Sequence, residues 1–289
     1  MKSCVPEKSR VAGLSLLAAV LLAVFKTVVG IMTGSLGILS EALHSALDFV
    51  AAGITWLCVR VSDKPADSDH NFGHEKIENL SALAEALLLL ITCGWIVNEA
   101  IERLRTNETE ISVGFWSFAV IITSIVVDIS RSRALMKAAK KYKSQALEAD
   151  ALHFSTDILS SSVVLLGLIC AYLGWLAADT IAALGVALIV AWISIGLAKR
   201  AINELLDKAP ESIRNEVSKI ISDASGVASS HDLRVRCSGA KYIIDVNIHV
   251  DKNLNIVDAH NISNCVEQQI RDRIGNAIIN VHIEPDRHD

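Results

Sequence analysis

The stretch Gly34-Ser-Leu-Gly-Ile-Leu-Ser-Glu-Ala-Leu-His-Ser-Ala-Leu-Asp48 ends on a histidine, His44, and an aspartate, Asp48, inside an apolar run. The same spacing returns as His153-Phe-Ser-Thr-Asp157, again in an apolar segment. Residues four apart on a helix share one face, about 6 Å apart along the axis. Each helix therefore presents two metal ligands. Packed side by side, two such helices bring together two imidazole nitrogens and two carboxylate oxygens, the donor types and number that a tetrahedral Zn²⁺ takes. A His/Asp pair also serves as internal glue between helices, but identical spacing in two separate apolar segments favours the ligand reading. Ionisable groups at membrane depth cost at least ~2.5 kcal/mol each and mark ion pathways. Those in the two segments are Glu41, His44, Asp48, Asp150, His153 and Asp157.

The 289 residues are 52% hydrophobic with a mean hydropathy of +0.41, the composition of a polytopic membrane protein. A net charge of -5, without a concentrated basic face, argues against nucleic acid as a partner. The six cysteines (Cys4, Cys58, Cys93, Cys170, Cys237, Cys265) lack CxxC spacing, so free thiols are expected. Lys2, Lys8 and Arg10 precede the first apolar run with no small-residue cleavage site in reach, so that run is expected to be a retained helix. No GxxxxGK[ST] run exists, which argues against an ATP-driven pump, and nothing points to an enzyme or an organic cofactor.

Six segments reach the ~20 residues that a hydrocarbon core requires. They are Val11 to Thr33, Leu36 to Arg60, Ile77 to Asn98, Ile111 to Ser130, Asp150 to Tyr172 and Thr180 to Ala198. The connections Gly34-Ser35, Thr106 to Glu110 and Gly174 to Asp179 hold almost no Lys or Arg. The opposite side carries the N-terminus, Ser62 to Lys76, the basic run Arg131, Arg133, Lys137, Lys140, Lys141 and Lys143, and everything after Lys199-Arg200. The positive-inside rule makes that side cytosolic, with both termini. Lys26, in the first span, is expected to pair with a carboxylate or to snorkel.

The chain thus divides into a transmembrane domain, 1-200, and a soluble domain, 201-289. In the latter, Ile213, Val217, Ile220 and Ile221 recur at helical spacing and Tyr242 to Val250 alternates as a strand. With strands at Asp232 to Cys237 and Ala277 to Ile283 and a helix at Val257 to Ile274, the order is αββαβ, a small α+β domain. Its size favours dimerisation.

With its six spans, paired ligands on the second and fifth, and this αββαβ domain, the chain resembles the cation diffusion facilitators over essentially its whole length. The most specific matches are the segment from Gly34 to Asp48 and the segment Lys64-Pro-Ala-Asp-Ser-Asp-His-Asn-Phe-Gly-His-Glu-Lys76. The resemblance implies a ferredoxin-like cytoplasmic domain, a homodimer in the lipid bilayer, and a transport site of His44, Asp48, His153 and Asp157. It implies export of Zn²⁺, with Cd²⁺ or Co²⁺ tolerated, in exchange for protons. His44 goes with zinc, and imidazole does favour Zn²⁺ over harder ions.

The resemblance also implies a loop site of Asp67, His70 and His74, and a charge interlock between subunits of Lys76 and Asp207. A loop rich in Asp and His can equally be solvated, and Lys76 and Asp207 can be exposed charges. His74-Glu-Lys-Ile-Glu78 lacks the second histidine of a zinc-peptidase HExxH. In the soluble domain the family's metal cluster implies His231, His260 and His282, with an acidic residue near Glu284. The family's strand histidine falls on Asn247 here, with His249 two residues on and on the same face. Either His249 substitutes or that site is incomplete. The rival expectations are a Mn²⁺ or Fe²⁺ transporter of the same family, and a membrane-bound metal sensor or scaffold with little flux. The absence of a His-rich loop between the fourth and fifth spans makes a bacterial inner membrane the expected location.

Overall fold

A computed structural model describes residues 7–34, 36–106, 115–172 and 177–286. The elements are α1 (Glu7–Thr33), α2 (Leu36–Ser62), α3 (Ile77–Thr106), α4 (Phe115–Tyr142), α5 (Gln145–Tyr172), α6 (Ala177–Leu205), α7 (Glu211–Ser222), β1 (Ser229–Ser238), β2 (Lys241–Val250), α8 (Ile256–Ile274) and β3 (Ala277–Pro285). The chain forms two compact units, Met1–Ile202 and Asn203–Asp289. Residues 111–114 at the start of the fourth expected span, and residues 35, 107–110 and 174–176 of the expected connections, lie outside the described residues, as do Lys2 and Cys4.

In the first unit α1 to α6 are each 27 to 30 residues long. A 27-residue helix is about 40 Å long, enough to cross a ~30 Å hydrocarbon core. Length and apolarity alone qualify four described segments as spans: Glu7–Thr33, Glu41–Ser62, Ile77–Glu102 and Ala183–Leu205.

Burial runs opposite to that of a soluble bundle. Along α2 the inward face reads Ile38, Ala42, Ser45, Asp48, Ala52, Thr55, Val59 and Ser62, small or polar residues apart from Ile38 and Val59, at three- and four-residue steps. Meanwhile Leu14, Ile31, Leu43, Ile91, Leu188 and Trp192 stand exposed. Small residues let helix backbones approach closely, and an apolar exterior suits lipid. From Ala146 to Phe154, α5 is buried almost all round, the signature of a central helix.

The expected fourth span stops at Ser130, but α4 continues through the basic run to Tyr142. Its inward face there is Leu135, Ala138 and Ala139, packed against Ala146, Leu147 and Ala151 of α5. Arg133, Lys137, Lys140 and Lys141 stay on the exposed side. Arg131 does not: it is buried over the Phe154 ring, 3.5 Å from its centroid, with Nη1 3.4 Å from Asp128 Oδ1. The expectation for Lys26 holds in its first form, since Lys26 Nζ is 3.0 Å from Glu41 Oε2.

The second unit has the ferredoxin-like αββαβ order, with a sheet ordered β1-β2-β3. β1 and β2 pair antiparallel, β2 and β3 parallel through α8. One face of β2, Ile244, Val246, Ile248 and Val250, packs on Val217 and Ile221 of α7 and Val266 and Ile270 of α8. Asn255 caps α8 by accepting hydrogen bonds from the backbone N–H groups of Val257 and Asp258. The opposite sheet face, with Asn247 and His249, is turned away from α7 and α8.

Candidate metal centres

Three groups of metal-type side chains occur among the described residues. The first lies inside the helical unit. His44, Asp48 and Asp157 bring one donor atom each within 4.8 Å of one another. His44 Nε2 is 3.8 Å from Asp48 Oδ1 and 3.8 Å from Asp157 Oδ1. His153 closes the set, its Nε2 3.2 Å from Asp48 Oδ1 and 3.5 Å from Asp157 Oδ2. All four expected residues therefore converge from α2 and α5. Two of these atoms come from each helix, because the one-turn spacing puts His and Asp on the face where α2 meets α5.

Behind this group stands Glu85 of α3, which inspection of the spans does not single out. It is 1% exposed, and its Oε2 lies 3.4 Å from His153 Nδ1. Thr55 Oγ1 donates to Glu85 Oε1 at 3.1 Å. A lone glutamate in an apolar span has no periodic signature; its only signal is the cost of carrying charge there.

The second group sits between α2 and α3. His74 Nε2 is 3.4 Å from Asp67 Oδ2, and His70 Nδ1 is 3.5 Å from Asp67 Oδ1. Gly73 takes φ +92°, a left-handed conformation that costs glycine nothing, and the chain turns there into α3 with His74 directed inward. The backbone N–H of His70 donates to Asp67 Oδ1 at 2.7 Å, and this bond holds the Asp67 carboxyl below its ordinary range. The buried Nδ1 of His74 has no partner among the described residues. One carboxylate and two imidazoles suit Zn²⁺ with an open fourth position.

The third group lies on the face of the sheet turned away from α7 and α8. His231, Asn247 and His282 form one row across β1, β2 and β3, and His249 pairs with Glu284 in the next row on that face. A β-bulge between His231 and Arg234, with Asp232 at φ +53°, re-aims the start of β1. His231 Nε2 and His249 Nε2 reach Glu284 Oε2 at 3.5 and 3.4 Å, and His282 Nε2 is 3.9 Å from Glu284 Oε1. Asn247 Nδ2 donates to Glu284 Oε1 at 3.1 Å. His249, not Asn247, therefore supplies the imidazole from β2. Desolvation pushes the Glu284 carboxyl up, but the His249 and His231 rings beside it outweigh that and hold it below its ordinary range. The side chain of His260, on α8, is not among the grouped donors.

Of the expected interlock residues, Asp207 accepts a hydrogen bond from Arg236 Nη1 at 3.1 Å, and Lys76 opens the turn into α3, its carbonyl accepting from the Asn79 N–H at 3.1 Å. The described thiols Cys58, Cys93 and Cys265 are free.

A helical unit with an apolar exterior and His/Asp donors inside, continued by a small α+β unit with donors of its own, is the anatomy of a membrane protein that handles metal ions. Residues 13–206 match the model of the cation efflux transmembrane domain, and residues 209–286 that of the cation efflux protein cytoplasmic domain. The chain is 33% identical over 258 residues to the cation-efflux pump FieF of Salmonella newport (strain SL254), covering 88% of this chain and 84% of that one. To the FieF of Salmonella paratyphi A it is 31% identical over 284 residues, covering 96% and 92%. Among solved structures, the metal-bound C-terminal domain of the CzcD transporter from Thermotoga maritima is 24% identical with a TM-score of 0.25, covering 26% of this chain and 88% of that one. The chain belongs to the cation diffusion facilitator family. It is an integral membrane protein that transports divalent metal cations.

Proposed function

We propose that this protein exports Zn²⁺ from the cytosol in exchange for protons, as a homodimer in a bacterial inner membrane with both termini cytosolic. The observation that carries this reading is the convergence of His44, Asp48, His153 and Asp157 inside the helical unit. Two imidazoles and two carboxylates suit Zn²⁺ better than Mn²⁺ or other ions that prefer an all-oxygen shell. Metal binds only deprotonated ligands, so protons and Zn²⁺ exclude each other at the site. Alternating exposure of the tetrad to the two sides then couples the two fluxes. His44 and His153 carry the proton, since an imidazole ordinarily titrates near neutrality. Moving a divalent ion outward against an inside-negative potential costs ~2.3 kcal/mol per charge per 100 mV, and one incoming proton roughly halves that electrical cost. The loop group and the sheet-face group bind further Zn²⁺ with a regulatory role, and Lys76 and Asp207 lock the two subunits together.

The test is metal flux in proteoliposomes under an imposed pH gradient, offering Zn²⁺, Cd²⁺, Mn²⁺ and Fe²⁺ to the native chain and to Asp157→Ala. Proton-driven zinc flux that falls to background in Asp157→Ala is the expected result. Preference for Mn²⁺ or Fe²⁺ would overturn the argument from His44. Binding without flux would make the protein a sensor or scaffold.

A further inference from the structure

An imidazole has two nitrogens, and only one tautomer of the neutral ring leaves a lone pair on Nε2 for a metal. His153 Nε2 faces the two carboxylates of the tetrad, so its proton belongs on Nδ1. In a ring 4% exposed, an N–H without an acceptor is costly and leaves the tautomer unfixed. His153 Nδ1 and Glu85 Oε2 lie 3.4 Å apart, both buried and neither making a hydrogen bond among the described residues, so each is the group nearest to hand for the other. The other Glu85 oxygen is anchored by the Thr55 hydroxyl, itself 3.3 Å from Ser81 Oγ. Glu85 is fully buried, this imidazole stands against it as an ion-pair partner, and Asp48, Asp150 and Asp157 add only like charge around it. A buried carboxylate with no Lys or Arg beside it is not explained by packing or by a structural ion pair.

We propose that Glu85 is the positioning residue of the membrane metal site: it accepts the Nδ1–H of His153 and holds the ring with Nε2 turned to the cargo ion. This rests on the tetrad being the transport site. Thr55 on α2, Glu85 on α3 and His153 on α5 then form a line of three helices that fixes one ligand from behind. A carboxylate behind a ligating histidine also makes its other nitrogen a stronger donor, and loss of such a partner typically costs 10–100-fold in metal affinity.

The experiment uses the full-length chain in detergent with Asp67→Ala, His70→Ala, His231→Ala and His249→Ala, which leaves the tetrad as the zinc site. Zinc affinity is measured by competition with a chromophoric chelator, and tetrahedral ligand-field absorption with Co²⁺ in place of zinc. Asp157→Ala is expected to abolish binding. Glu85→Leu is expected to weaken zinc by roughly 10–100-fold and to alter the Co²⁺ band. Glu85→Gln keeps the size and can offer its amide oxygen to the same N–H, so it should recover most of the loss, which a merely space-filling role would not require. Native-like affinity in Glu85→Leu, or an equal loss in Glu85→Leu and Glu85→Gln, would overturn the assignment. Zinc binding that survives Asp157→Ala would instead overturn the tetrad reading, and the role of Glu85 with it.

Discussion

Asn247 stands in the middle of a row between His231 and His282, where a third imidazole would complete a ligand set by position alone. An amide is a weak donor to Zn²⁺, and here its nitrogen is already used to hold Glu284 Oε1 at 3.1 Å. That bond steers the other carboxylate oxygen to His231 and His249. His249 should therefore behave as the ligand and Asn247 as an orienting group. In the full chain carrying Asp157→Ala and His70→Ala, His249→Ala should weaken residual zinc binding by more than about tenfold, or ~1.4 kcal/mol. Asn247→Ala should cost clearly less, and isothermal titration of the two variants checks the order. The possibility that His249 takes over was legible from strand periodicity alone, since residues two apart share a face. Equally local was the His/Asp spacing of the tetrad, which needs only one helical turn. Glu85 was not legible, because its pairing with His153 exists only once α3 packs on α5.

At the scale of elements, the ends of four helices are tied by one buried carboxylate. Glu78 at the start of α3 receives Lys8 Nζ from α1 and Ser62 Oγ from α2, each at 2.8 Å, and the hydroxyl of Ser144 just before α5. Lys8 is shared with Asp63, at 2.6 Å. Removing Glu78 takes away the acceptor of the Ser144 hydroxyl and half of the neutralisation of Lys8, while Ser62 keeps the Val59 carbonyl at 2.9 Å. Glu78→Ala should then destabilise the helical unit by on the order of 1–3 kcal/mol. The check is a lower thermal midpoint than the native chain in the same detergent, with Glu78→Gln falling between. Hydropathy could not reveal this clasp, nor the true end of α4, for a common reason. A sliding count of charges treats Lys8, Glu78 and Arg131 as solvent-seeking, whereas Lys8 and Glu78 meet through packing and Arg131 lies over the Phe154 ring with its Nε donating to Ser15 Oγ at 3.3 Å. The start of β1 was missed differently: the bulge at Asp232 breaks the alternation, and the strand in fact begins at Ser229. The αββαβ order itself was legible, because it depends on switches of period rather than on exact ends.

At the scale of the whole molecule, exporting a needed ion calls for a threshold below which export slows. The second unit has the parts for one. Its donors from His231, His249 and Glu284 lie on the sheet face turned away from α7 and α8. Around the start of α8, Leu254, Ile256 and Val257 are exposed apolar side chains, the kind of surface that a second copy covers. Metal held there would draw two soluble units together and bias the membrane halves toward transport. The double variant His231→Ala, His282→Ala should then raise the zinc concentration for half-maximal flux severalfold while leaving the rate at saturating zinc near native. Asp157→Ala should instead remove flux at every concentration, because it acts on the cargo site and not on the threshold. Initial rates in proteoliposomes across a zinc series separate the two patterns. A half-maximal concentration unmoved by the double variant would mean that the soluble unit binds metal without governing transport.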